Sequence, residues 1–460
     1  MEIQFPFNFP ILVLFSSFIF LLIKEWKKTK SLRRYKNLPP GPSKLPVIGH
    51  LHHLIGQLPH QAFRRLEQKY GPVVHLQLGE IPVVVIASRE AAKQVVKDQD
   101  PACADRPSNT GLQIMWYNYV DMAFSPYNEY WRQMRKICVL ELLSAKNVMS
   151  FGSIRQDEVS NLIKCIQISS GEVINLSEKL FALTSSIICR AVFGKVMTNQ
   201  DTLISLVKRG IAMSSGFDNL ADLFPSYKLF HLLNWNKYKL LRMRRKLDSI
   251  LDVILEDHKL KQSGEFGEEN ILDVLLRIQK NKELEFPIGN NNIKAVIFDM
   301  LSGAIETSST VIDWAMVELI RNPHLMAKLQ QEIREAFEGI GEVEERRRVC
   351  PGRNFGLANI DLPLAKLLFH FNWKMPEGMT TNDIDMTESV STANSLTSIV
   401  NPQQPAGHGR LKFSTAAQSK PQSCFRRQQS CLERNHSISS KIARCNVMPS
   451  IGCETLAHQK

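Results

Sequence analysis

The sequence predicts a mainly α-helical fold with a small β part, behind a single N-terminal transmembrane helix. Three observations support this fold class: an uncharged apolar stretch near the start, many later segments with helical periodicity, and two runs rich in β-branched residues that are separated by a short turn. With 44% hydrophobic and 22% charged residues, the composition excludes a chain that is disordered throughout.

The apolar stretch extends from Phe5 to Ile23 and is long enough to cross a bilayer as a helix. Seven basic residues and one acid follow between Lys24 and Lys36, so the positive-inside rule keeps the body on the cytosolic side. A cleaved signal peptide would instead begin with basic residues and end with small ones. We therefore predict a membrane anchor at residues 1–23. Residues 24–49 combine the basic segment with a stiff hinge at Pro39–Pro42 (PPGP).

Residues 50–388 form the predicted body. Its strand pair comprises Val73–Leu78 and Pro82–Ala87, which meet across the turn residues Gly79 and Glu80. Helical periodicity marks the following segments, in chain order: His60–Tyr70, Arg89–Gln99, Tyr127–Leu143, Arg155–Ser169, Leu176–Phe193, Arg242–Lys261, Asn270–Gln279, Asn291–Arg321 and His324–Phe337. Pro101–Ala123 is irregular and polar, as is typical of a loop that covers a substrate.

A cysteine precedes the last helical run of the body. Cys350 follows Arg346, Arg347 and Arg348, and Pro351-Gly352 then opens an apolar helical pattern. The positive end of a helix and nearby guanidinium groups favour the thiolate form of a cysteine. A single cysteine is more often a small core residue, but these neighbours point to a thiolate that binds a metal.

Two further groups of residues have a pattern that suits a binding site. Trp131 and Arg135 are four residues apart, so they share one helix face and could hold a carboxylate together, although a surface cation–π pair has the same pattern. Ser302–Thr310 (SGAIETSST) places small and hydroxyl residues around Glu306 and Thr307 inside the long apolar helix. This pattern fits either a kinked, closely packed helix or an oxygen-binding groove with a proton relay.

Together these residues resemble the plant microsomal cytochrome P-450 monooxygenases. The segment Ser125–Phe151 is similar to the terpenoid-oxidising branch that includes premnaspirodiene oxygenase. The resemblance implies a cytochrome P-450 fold with heme between the long helix and the cysteine helix. It further implies that Cys350 is the heme ligand, that Trp131, Arg135 and Arg348 hold the heme propionates, and that Glu306 and Thr307 deliver protons to dioxygen.

The resemblance also implies partners and a location. NADPH would supply electrons through a membrane-bound cytochrome P-450 reductase, and the substrate would be a small hydrophobic, terpenoid-like molecule. The chain would lie in the endoplasmic reticulum membrane as a single-pass protein in contact with lipid, with its body facing the cytosol. We expect no nucleic-acid partner, because the basic tail has only two Phe and no Tyr or Trp for stacking on bases.

The sequence departs from the family pattern near the cysteine. The family has a Glu-x-x-Arg helix, strands and a Pro-rich meander before the cysteine, whereas here only twelve residues separate Phe337 from Cys350. We therefore predict an internal deletion near residues 338–345. Val343 and Arg346 stand where the family has Phe and Gly, and a Gly there allows a tight turn.

The fold prediction for the body is thus a cytochrome P-450 fold that is incomplete. Residues 389–460 leave the resemblance and carry nine Lys/Arg against two Asp/Glu, which predicts a basic, disordered tail. Three functions remain open from the sequence. The chain is an active heme-thiolate monooxygenase, an inactive remnant of one, or a membrane-anchored binding protein with a basic tail.

Overall fold

The computed structural model describes residues 16, 38–169, 172–195, 197, 199–214, 219–260, 269–281, 284–335, 350–374 and 399–403. The predicted anchor (Ser16 apart), the basic segment, the join at 338–345 and Arg348 therefore lie outside the described residues. The chain forms two compact units. The first comprises Met1–Ala104 and Gly216–Tyr238, and the second comprises Asp105–Ser215 and Lys239–Lys460.

The described helices, in chain order, are α1 (Pro59–Tyr70), α2 (Arg89–Lys93), α3 (Asp100–Cys103), α4 (Thr110–Met115), α5 (Glu129–Ile137), α6 (Ala145–Ser150), α7 (Gly152–Ile168), α8 (Leu176–Phe193), α9 (Gln200–Ser214), α10 (Leu220–Leu223), α11 (Lys228–Leu232), α12 (Trp235–Leu260), α13 (Ile271–Lys280), α14 (Asn290–Arg321), α15 (Pro323–Glu335) and α16 (Arg353–His370). The described strands are β1 (Val73–Leu78), β2 (Ile81–Ile86), β3 (Ile174–Asn175), β4 (Asn372–Lys374) and β5 (Ile399–Gln403). The mainly α-helical prediction is confirmed.

The first unit is built on the predicted strand pair. β1 and β2 are antiparallel, from Val73 opposite Ile86 to Leu78 opposite Ile81. Alternate β1 residues are buried, as the period of two in a strand requires. They pack in one hydrophobic cluster with residues of α1 and of the segment 223–230. Gly79 has a φ of 61°, a left-handed conformation that suits glycine in this two-residue turn.

The Pro-rich hinge packs against β1. Pro40 accepts a hydrogen bond from the His75 amide at 3.0 Å. The buried His50 ring joins the two segments, because its Nδ1 accepts from the Gln77 amide at 2.7 Å and its Nε2 lies 2.9 Å from the Pro42 carbonyl oxygen. Burial also lowers the pKa of His50, which favours this neutral ring. The hinge is therefore fixed to the sheet rather than a free linker.

Gly41 allows this close approach, because a Cβ there would lie 2.2 Å from the His75 carbonyl oxygen. We expect Gly41→Ala to separate the hinge from β1 and to lower the free energy of unfolding by about 1–3 kcal/mol. Thermal unfolding and the rate of proteolysis near residue 41 measure the effect. Ser43→Ala, at an exposed neighbouring position, is the control. An unchanged melting temperature for Gly41→Ala would contradict this packing.

The second unit surrounds the long helix α14. This helix packs against α8 and α16, and large apolar side chains such as Phe193 and Phe298 are fully buried. Two hydrophobic clusters result, one on each part of the α14 length. Within the described residues α14 is the one unbroken helix long and apolar enough to span a membrane, and 67% of its most apolar window is buried inside the protein. It is therefore a core helix.

A small three-stranded sheet completes the second unit. β5 lies between β3 and β4 and is antiparallel to both, with Val400 opposite Ile174 and Gln403 opposite Asn372. The prediction of disorder for residues 389–460 is thus wrong for Ile399–Gln403. Its physical cause is a nonlocal backbone pairing that a five-residue run does not reveal. The other tail residues lie outside the described residues.

Candidate functional site

Cys350 lies immediately before α16 and is exposed, with a free thiol. The Arg353 amide at the start of the helix donates to the Cys350 carbonyl oxygen at 3.4 Å. The Sγ atom lies 4.0 Å from the position that a Cβ on Gly352 would take. The cysteine therefore has the position near a helix N-terminus that its sequence context predicts.

Packing of α16 fixes the position of this cysteine. Phe355, one turn into the helix, is 3% exposed and makes an edge-to-face contact with Phe151, with ring centroids 6.0 Å apart. Further along, Leu364, Leu367 and Leu368 are fully buried. These side chains hold α16 against α14. The thiol is thus presented by a rigid helix pair.

An open face interrupts the buried middle of α14. Gly303 and Thr307, one turn apart, are exposed although the residues around them are buried or half-buried. A Cβ at Gly303 would meet no atom within 4 Å, and the same is true of Gly356 on α16. We call Gly303 and Thr307 the open face. Free space beside a core helix is where a bound group can lie.

The hydroxyl residues near the open face bond back to the helix. Thr307 Oγ1 donates to the Gly303 carbonyl oxygen at 2.5 Å, and Ser309 Oγ lies 3.1 Å from the Ile305 carbonyl oxygen. Threonine and serine side chains inside a helix often bond in this way to a carbonyl oxygen one turn earlier. The α-helix nevertheless continues without a break from Asn290 to Arg321.

Glu306 is half-buried beside the open face. Burial raises the pKa of its carboxyl group, and the positive charge of Lys208 opposes that rise. The carboxyl group therefore keeps its proton to a higher pH than an exposed glutamate does. A group of this kind can pass a proton to a neighbouring acceptor near neutral pH.

Trp131 and Arg135 share a face of α5, as their spacing predicted. The guanidinium carbon of Arg135 lies 5.6 Å from the centroid of the Trp131 ring. The indole N–H, however, donates to the Met122 carbonyl oxygen at 3.0 Å and is buried. The sequence pattern suggested that this indole N–H could bind a carboxylate, but in this structure it is bonded to the backbone. Trp131 is buried, whereas Arg135 is half-buried. Arg348 lies outside the described residues.

These residues fit an iron cofactor with a thiolate ligand. No group of three or more His, Cys, Asp or Glu in the described residues could hold a bare metal ion. Heme iron needs a single axial protein ligand, and an accessible cysteine thiolate can supply it. It also needs uncrowded space beside the opposing helix, which Gly303 provides.

The structure adds one residue that the sequence analysis did not single out. Asp299 lies four residues before Gly303 on α14 and is buried. It is the first acid in the apolar run of that helix, before Glu306. A buried acid in an apolar helix is the signal that could have identified it, because carboxyl groups are seldom buried without a partner.

The comparisons with known proteins agree on one family. The family described as Cytochrome P450 matches residues 39–346, more than half of the chain. Cytochrome P450 71D95 of Mentha spicata is 45% identical, over 85% of this chain and 96% of that protein. Cytochrome P450 71D13 of Mentha piperita is 44% identical, over 88% of this chain and 100% of that protein.

A solved structure has a similar fold. It is a zebra fish cytochrome P450 in a structure with progesterone. The TM-score is 0.60, the sequence identity is 16%, and the match covers 76% of this chain and 98% of that chain. At this identity the likeness concerns the fold alone.

The alignment lengths show how many aligned positions have no counterpart in this chain. The alignment with the Mentha spicata protein has 481 positions, whereas 85% of 460 residues is about 391, so about 90 positions hold no residue of this chain. A span of 391 residues includes position 350 wherever it begins. Cys350 therefore lies inside the aligned region, although it is beyond the part matched by the family description.

Proposed function

The chain belongs to the cytochrome P450 family of heme monooxygenases, and we propose that it inserts one oxygen atom of O2 into a small hydrophobic, terpenoid-like substrate. One observation carries the proposal: exposed Cys350 lies three residues before the start of a helix that packs on α14, and α14 presents an open face at Gly303 and Thr307. The reduced carbon-monoxide difference spectrum of membranes that contain the chain tests it, because a thiolate ligand gives a characteristic Soret band.

Heme would supply the activation of dioxygen when it is bound. Cys350 would hold the iron, and Arg135 and Arg348 would bind the propionates by charge-assisted hydrogen bonds. Trp131 would join them through its indole N–H, which requires that this donor leave the Met122 carbonyl oxygen. The ring of Trp131 also stacks beside Arg135 and so positions the guanidinium group.

Glu306 and Thr307 would provide the protons. Burial raises the pKa of the Glu306 carboxyl group, and the exposed Thr307 hydroxyl lies next to it in sequence on the open face. The small residues Gly303 and Ala304 leave space for the substrate there. Met300 and Ala123 would contact the substrate as it approaches.

We expect Glu306→Gln and Thr307→Val to lower the rate of product formation by on the order of 10²-fold, because each removes one proton donor. In the unsubstituted chain, product formed per NADPH should fall as pH rises through the raised pKa of Glu306, and this dependence should disappear in Glu306→Gln. Ser309→Ala is the control, since Ser309 is buried and bonds to the helix. Equal pH profiles in the Glu306 variant and the unsubstituted chain would exclude this role.

The electron source and the location belong to the same proposal. NADPH would reduce the protein through a membrane-bound cytochrome P-450 reductase, with residues 1–23 as an anchor in the endoplasmic reticulum membrane and the body in the cytosol. Contact with lipid is supported by large apolar side chains that the first unit exposes: Leu229, Leu232, Leu233, Trp235 and Tyr238.

A second candidate is a cytochrome P450 remnant that holds no heme. Two observations favour it: fourteen residues separate Glu335 at the end of α15 from Cys350, and about 90 alignment positions have no residue of this chain. A lost segment of that size would remove packing that a marginally stable fold needs. The carbon-monoxide spectrum separates the two candidates directly.

A further inference from the structure

The segment 116–123 connects α4 to the region before α5 and has an unusual backbone. Tyr117, Asn118 and Tyr119 all have positive φ, at 55°, 57° and 63°. A non-glycine residue in this conformation costs about 1–2 kcal/mol. Three in succession require strong contacts elsewhere that hold the segment in place.

Asp299 of α14 makes contacts of this kind. Its Oδ1 accepts from the Trp116 indole N–H at 2.9 Å, and its Oδ2 accepts from the amides of Met122 at 2.8 Å and Ala123 at 3.3 Å. Asp299 itself is 8% exposed. One buried carboxyl group therefore joins both ends of the segment to the long helix. We call these three hydrogen bonds the Asp299 clamp.

Opposing effects act on the pKa of the Asp299 carboxyl group. Burial and the neighbouring Asp121 carboxyl raise the pKa of Asp299, while the three N–H donors oppose the rise. One oxygen of Asp299 accepts from the indole N–H of Trp116 and the other accepts from the amides of Met122 and Ala123. Asp121 accepts from the Phe124 amide at 2.6 Å and so extends the same anchoring by one residue.

A second attachment holds the start of the segment. The Tyr117 hydroxyl donates to Asp248 of α12 at 2.9 Å, and the Arg244 guanidinium carbon lies 3.1 Å from the Tyr117 ring centroid. Buried Lys294 of α14 binds the same Asp248 at 3.2 Å. The segment is thus fixed to two helices.

The position of the clamp connects it to the open face. Asp299, Gly303 and Thr307 follow at intervals of four residues, so they lie along one stripe of α14. Met122 and Ala123 are therefore bonded to the residue that precedes Gly303 by one helical turn. The clamp sets the position of the chain that borders the place where a substrate would approach.

We propose that Asp299 is a positioning residue, which fastens segment 116–123 across α14 and thereby determines which part of a hydrophobic substrate reaches the open face. This inference rests on the proposed function for its substrate, but the clamp can be measured without heme. Asp299→Asn keeps the size of the side chain but leaves one acceptor oxygen in place of two. An NH2 group must then face either the indole N–H or the two amides, so the clamp is weakened.

Hydrogen–deuterium exchange of the full-length, detergent-solubilised chain tests the clamp. We expect the amides of Met122 and Ala123 to exchange about tenfold faster in Asp299→Asn, as the loss of a hydrogen bond predicts. The matched control is Asp313→Asn on the same helix. Asp313 is also buried and accepts from the Ser177 hydroxyl at 2.8 Å, and it lies fourteen residues further along the helix than Asp299.

A milder variant keeps the test informative if Asp299→Asn does not fold. Trp116→Phe removes one N–H donor and retains an aromatic ring next to Phe124 and Phe298, whose centroids both lie 4.8 Å from that of Trp116. It should accelerate the same amides to a smaller extent. Unchanged exchange in both variants, or equal acceleration in Asp313→Asn, would overturn the clamp.

The ratio of oxidised products measures the effect on the substrate separately. With a hydrophobic sesquiterpene as the probe and a reductase present, Asp299→Asn should change the ratio of oxidised products while the thiolate Soret band persists. An unchanged product ratio would overturn the positioning role. If the unsubstituted chain shows no Soret band, the proposed function fails and the reaction role fails with it, whereas the exchange data still decide whether the clamp exists.

Discussion

Replacing Cys350 by serine is expected to abolish the thiolate-type Soret band of the reduced carbon-monoxide complex. A serine hydroxyl stays protonated at a helix N-terminus and does not give the electron donation that a thiolate gives to heme iron. The side chain is exposed and is not part of the core, so the substitution leaves the packing of α16 intact. We therefore expect complete loss of the band with the protein still present in the membrane.

Cys103 and Cys165 provide matched controls, because both are exposed free thiols elsewhere in the chain. Cys103→Ser and Cys165→Ser should leave the band unchanged. A thiolate band that survives in Cys350→Ser would show that another cysteine binds the heme, and the assignment of Cys350 would then be wrong.

Replacing Gly303 by leucine is expected to have the second large effect. A Cβ at Gly303 meets no atom within 4 Å, and Leu favours a helix interior over Gly by about 0.5–1 kcal/mol. The variant should therefore be at least as stable as the unsubstituted chain. Its side chain would nevertheless fill the open face, so binding of heme or of substrate there should fall at least tenfold.

Asn291→Leu is the control for Gly303→Leu, since it adds the same side chain to an exposed position near the start of α14. Optical titration measures substrate binding and the carbon-monoxide spectrum measures heme binding. If Gly303→Leu unfolds the protein, the space beside Gly303 is not open. If it binds heme and substrate as before, the open face is not the site.

Much of the fold follows from local sequence patterns. The hairpin follows from alternating apolar residues around Gly79, and the long helix follows from its apolar run up to Asn322-Pro323. The helix α9 was not predicted because Gly210 lowers helix propensity in its middle. A Cβ at Gly210 would lie 2.7 Å from the Cε atom at the flexible end of the Met115 side chain, and no local pattern reveals that contact.

Residues whose partners are distant in sequence were harder to predict. The helix α12 begins at Trp235, seven residues before the predicted start, because its first turns expose large apolar side chains instead of burying one face. For the candidate site, the spacing placed Trp131 beside Arg135. It could not show that the Met122 carbonyl oxygen would take the indole N–H, because the segment 116–123 brings that acceptor into place.

The reduced carbon-monoxide difference spectrum of membranes that contain the full-length chain tests the central claim most directly. The claim is that Cys350 binds heme although about 90 positions of a related sequence have no counterpart here. A thiolate-type Soret band is the predicted result. If the protein is present in the membrane and no such band appears, the chain is a heme-free remnant of the cytochrome P450 family and the proposed monooxygenase activity is contradicted.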